Sequence, residues 1–270
     1  MTPRPPVALT IAGTDSGGGA GVAADLKTFE AHGVWGTCAV VAVTAQNTVG
    51  VQAFETVSAA LARAQIASVA SDIGVDAAKT GMLASAELVR AVAAAIREAG
   101  ITRLVVDPVL VSKHGSPLLA DDAVEALRCD LLPLATVVTP NLPEASRLVG
   151  FDVCDREAME AAGRALVALG PAVAMVKGGH LGGDGSPDCL VVTGETGVVW
   201  LEGPRHPGRH THGTGCVLSA AVCAGLARGM DPADACVAAR HFVSRAIAAG
   251  LALGAGVGPV QPGWERAVLG

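Results

Sequence analysis

The sequence predicts an α/β protein in which βα units surround a mostly parallel sheet. Short runs rich in Val, Ile and Leu alternate with longer Ala-rich segments of helical period. Hydrophobic residues make up 51% of the 270 but aromatics only 3%, with no tyrosine, so close packing of small aliphatic side chains must supply the stability. The polar and glycine-rich stretches fall mostly where a predicted strand ends, which is the edge of an open parallel sheet at which ligands bind.

Taken in order, the strands are expected at Val7–Ala12, Thr37–Thr44, Ala77–Thr80, Arg103–Asp107, Thr136–Thr139, Ala172–Val176, Cys189–Thr193 and Val198–Glu202. Helices are expected near 20–32, 58–73, 85–99, 121–129, 155–169, 214–228 and 232–250. Ser58 and Ser85 stand as N-caps, and Gly33, Gly100, Gly170 and Gly229 fall just past last turns. No linker, repeat or low-complexity segment divides the chain, so one domain over residues 1–270 is the expectation.

Composition excludes several classes of function. A formal charge of -6 without a long Lys/Arg cluster argues against nucleic acid or an anionic membrane surface as partner, which leaves small molecules. Seven cysteines at irregular positions form no CxxC pair, so they read as reduced thiols rather than a disulfide framework or zinc site. The first residues, MTPRPPVALTIAGTDSGG, lack the apolar core and cleavage site of a signal peptide, and a cytoplasmic protein is expected. The uncharged stretch from Ala246 to Gln261 contains four glycines and a proline and is shorter than the ~20 apolar residues that span a bilayer.

Two glycine-rich turns carry the chemistry. Gly17-Gly18-Gly19-Ala20-Gly21 lies between a strand and a helix, where its N–H groups could face an anion; the plainer reading is a tight turn. Gly19, Gly21 and Ala24 fit a dinucleotide fingerprint, but the second strand ends in Thr44-Ala45-Gln46-Asn47 with no acid to hold a ribose, and no GxxxxGK[ST] sequence is present. His212-Gly213-Thr214-Gly215-Cys216 precedes a long Ala-rich helix, so the N–H groups of 213 to 216 should form an anion hole. The same helix end should lower the pKa of Cys216 and make it a candidate base, against the bland reading of a small buried hydrophobe. The other six cysteines take that bland reading.

With these turns in hand, the chain resembles the bacterial hydroxymethylpyrimidine/phosphomethylpyrimidine kinases. The matching segments are TIAGTDSGGGAG at 10–21, ADLKTF at 24–29, TAQNT at 44–48, KTGML at 79–83, VVDPVLVSKHG at 105–115, TPNLPEA at 139–145, VKGGHL at 176–181 and HGTGC at 212–216. They keep family order across nearly the whole chain. The resemblance implies a ribokinase-like three-layer αβα sandwich, ATP and magnesium as cofactors, and phosphorylation of 4-amino-5-hydroxymethyl-2-methylpyrimidine and then of its monophosphate. Related kinases are often dimers, so a homodimer is expected by analogy.

The resemblance also implies roles for residues. Gly213, Gly215 and Cys216 would cradle the transferring phosphoryl group. Lys177, Lys113, Asn141 and Thr214 would meet the nucleotide, with Lys113 on the SKHG loop. Asp107 and Glu144 would hold magnesium directly or through water, the plainer readings being an N-cap and a solvated loop acid. Gly13, Asp25, Gln46, Met82 and Val109 would form the pyrimidine pocket, although Met82 and Val109 would serve equally as core.

Three positions depart from the family pattern: Ala23 stands for glutamine, Val217 for threonine, and Gly256-Val257-Gly258-Pro259 for GHGP. The second removes a hydroxyl beside the anion hole and the third an imidazole. Two other functions remain open on the sequence. One is a pyridoxal or pyridoxine kinase, whose ring also carries a hydroxymethyl group; the other is a nucleotide-binding sensor without turnover.

Overall fold

The computed structural model describes residues 4–110, 121–179, 181–182 and 185–267. Its strands, β1 (Val7–Gly13), β2 (Trp35–Gln46), β3 (Val51–Thr56), β4 (Ala77–Thr80), β5 (Leu104–Val106), β6 (Val137–Val138), β7 (Val173–Lys177), β8 (Asp188–Val192) and β9 (Val199–Leu201), join into one sheet. The order is β3-β2-β1-β4-β5-β6-β7-β8-β9. Pairing is parallel from β2 through β7 and antiparallel for β2–β3, β7–β8 and β8–β9.

Helices cover both faces. On one face lie α2 (Ala59–Asp72), α3 (Ala86–Glu98), α4 (Asp121–Ala126), α5 (Leu142–Val149) and α6 (Arg156–Val167). The other face carries α1 (Gly21–Ala31), α7 (Thr214–Ala227) and α8 (Pro232–Ala248), with a short α9 (Trp264–Ala267) beside them. The strand pleat sends alternate side chains to the two layers: Leu104 and Val106 join the first core, Val105 the second. The mostly parallel sheet is the one the alternating sequence predicts, and the three αβα layers are those the family resemblance implies.

The local signals act as the sequence implies. Ser58 and Ser85 accept hydrogen bonds from the N–H groups of Leu61 and Leu88 and so start α2 and α3. Gly33, Gly100, Gly170 and Gly229 all have positive φ at helix exits. Helix α7 is buried on every side from Val217 to Ala227, which its small Ala, Gly, Ser and Cys residues make possible. Its Val217 is fully buried core, so the side chain at that departure from the family pattern faces packing rather than ligand.

β3, α5 and α9 lie outside the expected set, and the helix expected at 121–129 continues differently. β3 forms a hairpin with β2 because Asn47 accepts the N–H groups of Val49 and Gly50 through its Oδ1, an Asx turn written in the QNT segment. Every residue of β3 is exposed, so no burial pattern marks it as a strand. α5 is a helix of eight residues closed by a capping box between Asn141 and Glu144. The helix expected at 121–129 runs through one π turn at Leu127–Leu131 and a 3-10 turn at Leu132–Leu134. Among the described residues no helix is long and apolar enough to cross a membrane.

The order β2-β1-β4 places a reversal of chain direction along the sheet beside β1. At such a point the connections leave to opposite faces and open a crevice outside the strand ends. The loops after β1, β2 and β4 border that crevice.

Packing of α6 on β8 gives one test of this frame. A Cβ at Gly163 would collide with the Val191 side chain. Gly163→Ala should therefore destabilise the protein by about 1–3 kcal/mol through overpacking, although alanine is the better helix former. Urea denaturation checks it: Val191→Ala should cost less in the Gly163→Ala background than in the wild type.

Candidate active site

A cavity of about 220 Å³ opens at the β1/β4 crevice. Gly13, Gln46, Met82, Val109 and Cys216 all lie on its wall, the first four being residues expected to hold the pyrimidine. Gly13 is there for a steric reason: a Cβ would come within 2.8 Å of the Met82 methyl carbon. Met82 and Val109 are half-buried faces of the cavity rather than closed core. The backbone of Gln46 is tied to Ser16, its N–H to Ser16 Oγ at 2.7 Å and its carbonyl to the same hydroxyl at 2.8 Å, which holds the residue on the wall. The exposed hairpin adds Val51 and Phe54 as one flank of the cavity.

Asp25 is placed differently from expectation. It is fully buried under the cavity floor, accepts from Thr10 Oγ1 at 2.6 Å, and pairs with Lys79 Nζ at 3.1 Å. It is the counter-ion of Lys79, and it is Lys79 that lies on the cavity wall. Burial alone would lower the Lys79 pKa, but the charge and hydrogen bond of Asp25, together with the negative groups around it, outweigh burial and hold the ammonium charged, well above its ordinary value. A lysine inside the buried strand Ala77-Ala78-Lys79-Thr80 was a visible signal for a paired charge.

The first glycine turn faces an anion that the chain itself supplies. Asp15 accepts the N–H groups of Gly17 at 2.8 Å, Gly19 at 3.1 Å and Ala20 at 2.9 Å, and its Oδ2 lies 2.8 Å from His212 Nε2. Burial would raise the Asp15 pKa, but the His212 contact and the backbone donors outweigh it and hold the carboxyl below its usual range. These donors therefore serve structure. Neither Asp15 nor His212 stands out in the sequence except as neighbours of the glycines.

The second turn supplies the open donors. Gly213 sits at φ 81°, and Val217 N–H is the first to bond back, to the Gly213 carbonyl, so Gly215 and Cys216 lie in the first turn of α7 with N–H groups that have no intrahelical acceptor. Thr214 N–H and Oγ1 both turn to the Thr211 carbonyl. The Cys216 sulfur accepts from Gly21 N–H at 3.4 Å. Burial pushes the Cys216 thiol up to about 12, overriding the neighbouring Lys79 charge. The expected lowering by the helix end does not occur, because removing the sulfur from water disfavours the thiolate more than the first-turn dipole favours it.

Across this turn lies a charged cluster at the ends of β5, β6 and β7. Lys177 Nζ is 3.3 Å from Asp107 Oδ1, and Ser219 Oγ donates to Asp107 Oδ2 at 3.1 Å. A Cβ on Gly215 would stand 3.5 Å from Lys177 Nζ and 3.8 Å from Asp107 Oδ2, so the cluster borders the anion hole directly. For Asp107, burial is outweighed by Lys177 and Lys79, which hold the carboxyl below its ordinary value. Glu144 is buried rather than solvated, and burial together with the Asp107 charge raises it to about 7 against the pull of Lys177. Asn141 is its capping partner: Glu144 N–H donates to Asn141 Oδ1 at 3.0 Å and Asn141 N–H to Glu144 Oε2 at 2.9 Å. Lys113 lies outside the described residues.

Among the described residues no three His, Cys, Asp or Glu side chains converge as a cage. Two acids, Asp107 and Glu144, raise the energy of each other's charged form, and their donor set is hard oxygen. That set fits magnesium, which binds few carboxylates and keeps several waters.

A crevice with an acceptor-sized cavity on one side, a helix N-terminal anion hole at its centre and paired acids with a lysine beyond defines a ribokinase-like phosphotransferase. The sequence profile of the family described as phosphomethylpyrimidine kinase matches residues 15–261. A hydroxymethylpyrimidine/phosphomethylpyrimidine kinase of Streptomyces coelicolor is 52% identical over 96% of this chain and 95% of its own. Among solved structures, an ADP complex of Bacillus subtilis pyridoxal kinase superposes with a TM-score of 0.90 at 38% identity, covering 97% of this chain and 99% of the other. A phosphomethylpyrimidine kinase from Clostridium difficile gives 0.79, also at 38% identity, over 89% and 99%. The chain belongs to the phosphomethylpyrimidine kinase family.

The raised Glu144 pKa has a measurable sign. Its folded value of about 7 exceeds the ordinary 4.5, so the folded state binds the extra proton between them. The stability this contributes is fully present below pH 4.5 and is lost as pH rises through about 7. In metal-free buffer the wild-type melting temperature should therefore fall from pH 5 to pH 8 relative to that of Glu144→Gln. Parallel melting profiles for the two proteins would contradict it.

Proposed function

We propose that this chain transfers the γ-phosphate of ATP, with magnesium, to the hydroxymethyl oxygen of 4-amino-5-hydroxymethyl-2-methylpyrimidine, and then a second phosphate to the monophosphate. The observation that carries the proposal is the position of Cys216, which belongs at once to the cavity wall and to the anion hole of α7. A hydroxyl group of a ring held in the cavity is thereby brought to the end of the helix where a phosphoryl group is stabilised. The relatives named for this activity support the choice of ring.

In this reading Met82 and Val109 sandwich the ring, and the Gln46 amide meets its polar edge. Gly213, Gly215 and Cys216 offer backbone donors to the transferring group, and Lys79 and Lys177 add fixed positive charge on either side. Lys177, Thr214 and Asn141 stand on the nucleotide side, with Lys113 assigned there by resemblance. Asp107 and Glu144 would hold magnesium, which supplies charge neutralisation on the phosphates when bound. Phosphoryl transfer needs little covalent help, so a thiol pushed to about 12 is compatible with it: alignment and the anion hole carry the rate, and Cys216 acts as wall and hydrogen-bond partner more than as base. A cytoplasmic homodimer completes the proposal.

The likeness to pyridoxal kinases favours a second reading, in which the acceptor is a hydroxymethylpyridine. A substrate panel with Mg-ATP separates the two. We expect the pyrimidine alcohol and its monophosphate to give the highest kcat/KM, with pyridoxal well below and ribose inactive. Preference for pyridoxal would move the assignment to the second reading, and equal turnover of ribose would remove both.

The balance between thiol and backbone donors is also testable. Cys216→Ala should lower kcat by less than about tenfold, short of the 10²-fold or greater loss common on removing a general base. Gly213→Ala should be far worse, because φ is 81° and a Cβ would collide with the Gly19 carbonyl, moving the donors themselves. Steady-state kinetics of the two variants, with pH profiles, check the order of effects.

A further inference from the structure

One buried ion pair stands outside the chemistry described above. Arg240 lies on α8 and is 8% exposed, and its Nε is 2.7 Å from Asp188 Oδ2 at the start of β8. Its Nη2 donates to the Ser186 carbonyl at 2.7 Å. The other carboxylate oxygen of Asp188 accepts Gly178 N–H at 2.9 Å, and Gly178 directly follows Lys177. Neither Arg240 nor Asp188 belongs to any of the motifs that mark the site in the sequence.

The geometry asks for something more than a clasp. Lys177 and Asp188 are cross-strand partners in the antiparallel β7–β8 pair, so the ladder ends at Lys177 and the next backbone donor must find another acceptor. Gly178 cannot carry a side chain there, because a Cβ would collide with the Pro187 carbonyl. The N–H is captured by a carboxylate instead, and that carboxylate is held by a guanidinium from a different layer of the sandwich. Lys177 N–H in turn donates to the Pro140 carbonyl at 2.8 Å, and its Nζ reaches Asp107. Removing two charges from water is costly, and apolar residues close a helix–sheet contact at least as well. What an apolar pair would not do is fix the direction of one backbone N–H beside the site lysine.

The acceptor cavity occupies the ends of β1, β2 and β4, which leaves the ends of β6 and β7 and the start of β8 for the phosphate donor. We propose that Arg240 is a positioning residue for the nucleotide: acting through Asp188 and Gly178, it holds the end of β7 so that Lys177 meets the donor phosphates. This rests on the kinase reading above, in which Lys177 faces ATP. The role belongs to the donor side of the reaction alone, since neither Arg240 nor Asp188 touches the acceptor cavity.

The test uses Arg240→Met, Arg240→Lys and Gly203→Ala in the full chain. The last keeps both charges but places a Cβ 2.7 Å from Arg240 Nη2, so it shifts the guanidinium without deleting it. Expected is a rise in KM for ATP of about tenfold in Arg240→Met, a smaller rise in the other two, and KM for the pyrimidine alcohol within about twofold of wild type. If Arg240→Met does not fold, as judged by thermal melting, Gly203→Ala and Arg240→Lys decide on the same measurements. An unchanged KM for ATP in folded variants overturns the proposal, as does a parallel change in both KM values and kcat. Failure of the wild type itself to consume ATP would instead reject the kinase reading.

Discussion

The close approach of two glycine turns governs the architecture of this site. Gly213 enters α7 in a left-handed conformation directly against the Gly19 carbonyl, with no room between them for a Cβ. The contact brings the loop after β1, which borders the cavity, against the N-terminal end of α7, where the proposed anion hole lies. Asp15 secures it by accepting three backbone donors on one side and facing His212 on the other. The C-terminal loop adds a third strap: His212 N–H donates to the Gly258 carbonyl, Val260 N–H to the His212 carbonyl, and Val257 N–H to the Thr48 carbonyl. Turns far apart in the chain thus form one wall, and Val257 joins the cavity through them.

Charge follows the same logic of mutual support. Lys79 is matched to Asp25 and Lys177 to Asp107, so that positive charge is fixed on both sides of the anion hole at a tolerable cost of burial. Glu144 keeps a raised pKa because burial and the neighbouring Asp107 charge together outweigh the pull of Lys177. A protein that stabilises developing charge by preorganised groups has to hold those groups in place before the reaction begins, and these pairs do so.

Much of this was legible in the sequence. Strand and helix period placed the sheet, and Ser58, Ser85 and the exit glycines marked helix ends with a physical mechanism. Gly13, Gln46, Met82 and Val109 do converge on one cavity. β3 was not legible, since an exposed edge strand has no burial alternation to leave in the sequence, and α5 was hidden because TPNLPEA reads equally as a ligand loop and as a capping box. Asp25 was misplaced for a related reason: a carboxylate near a pocket looks like a ligand until its counter-ion is seen.

The sequence by itself determined the class of fold, the turns at which backbone donors are exposed, and the family to which the chain belongs. These depend on local periodicity, on glycine where other residues cannot fit, and on motifs in a fixed order. Tertiary structure decided which charges neutralise each other and which face the site. It assigned Asp25 to Lys79 and turned the first glycine loop toward Asp15, and it kept Cys216 a thiol. The physical reason is that pKa and pairing depend on burial and on neighbours brought together from distant parts of the chain, Asp15 with His212 and Gly21 with Cys216, and no local pattern records that distance.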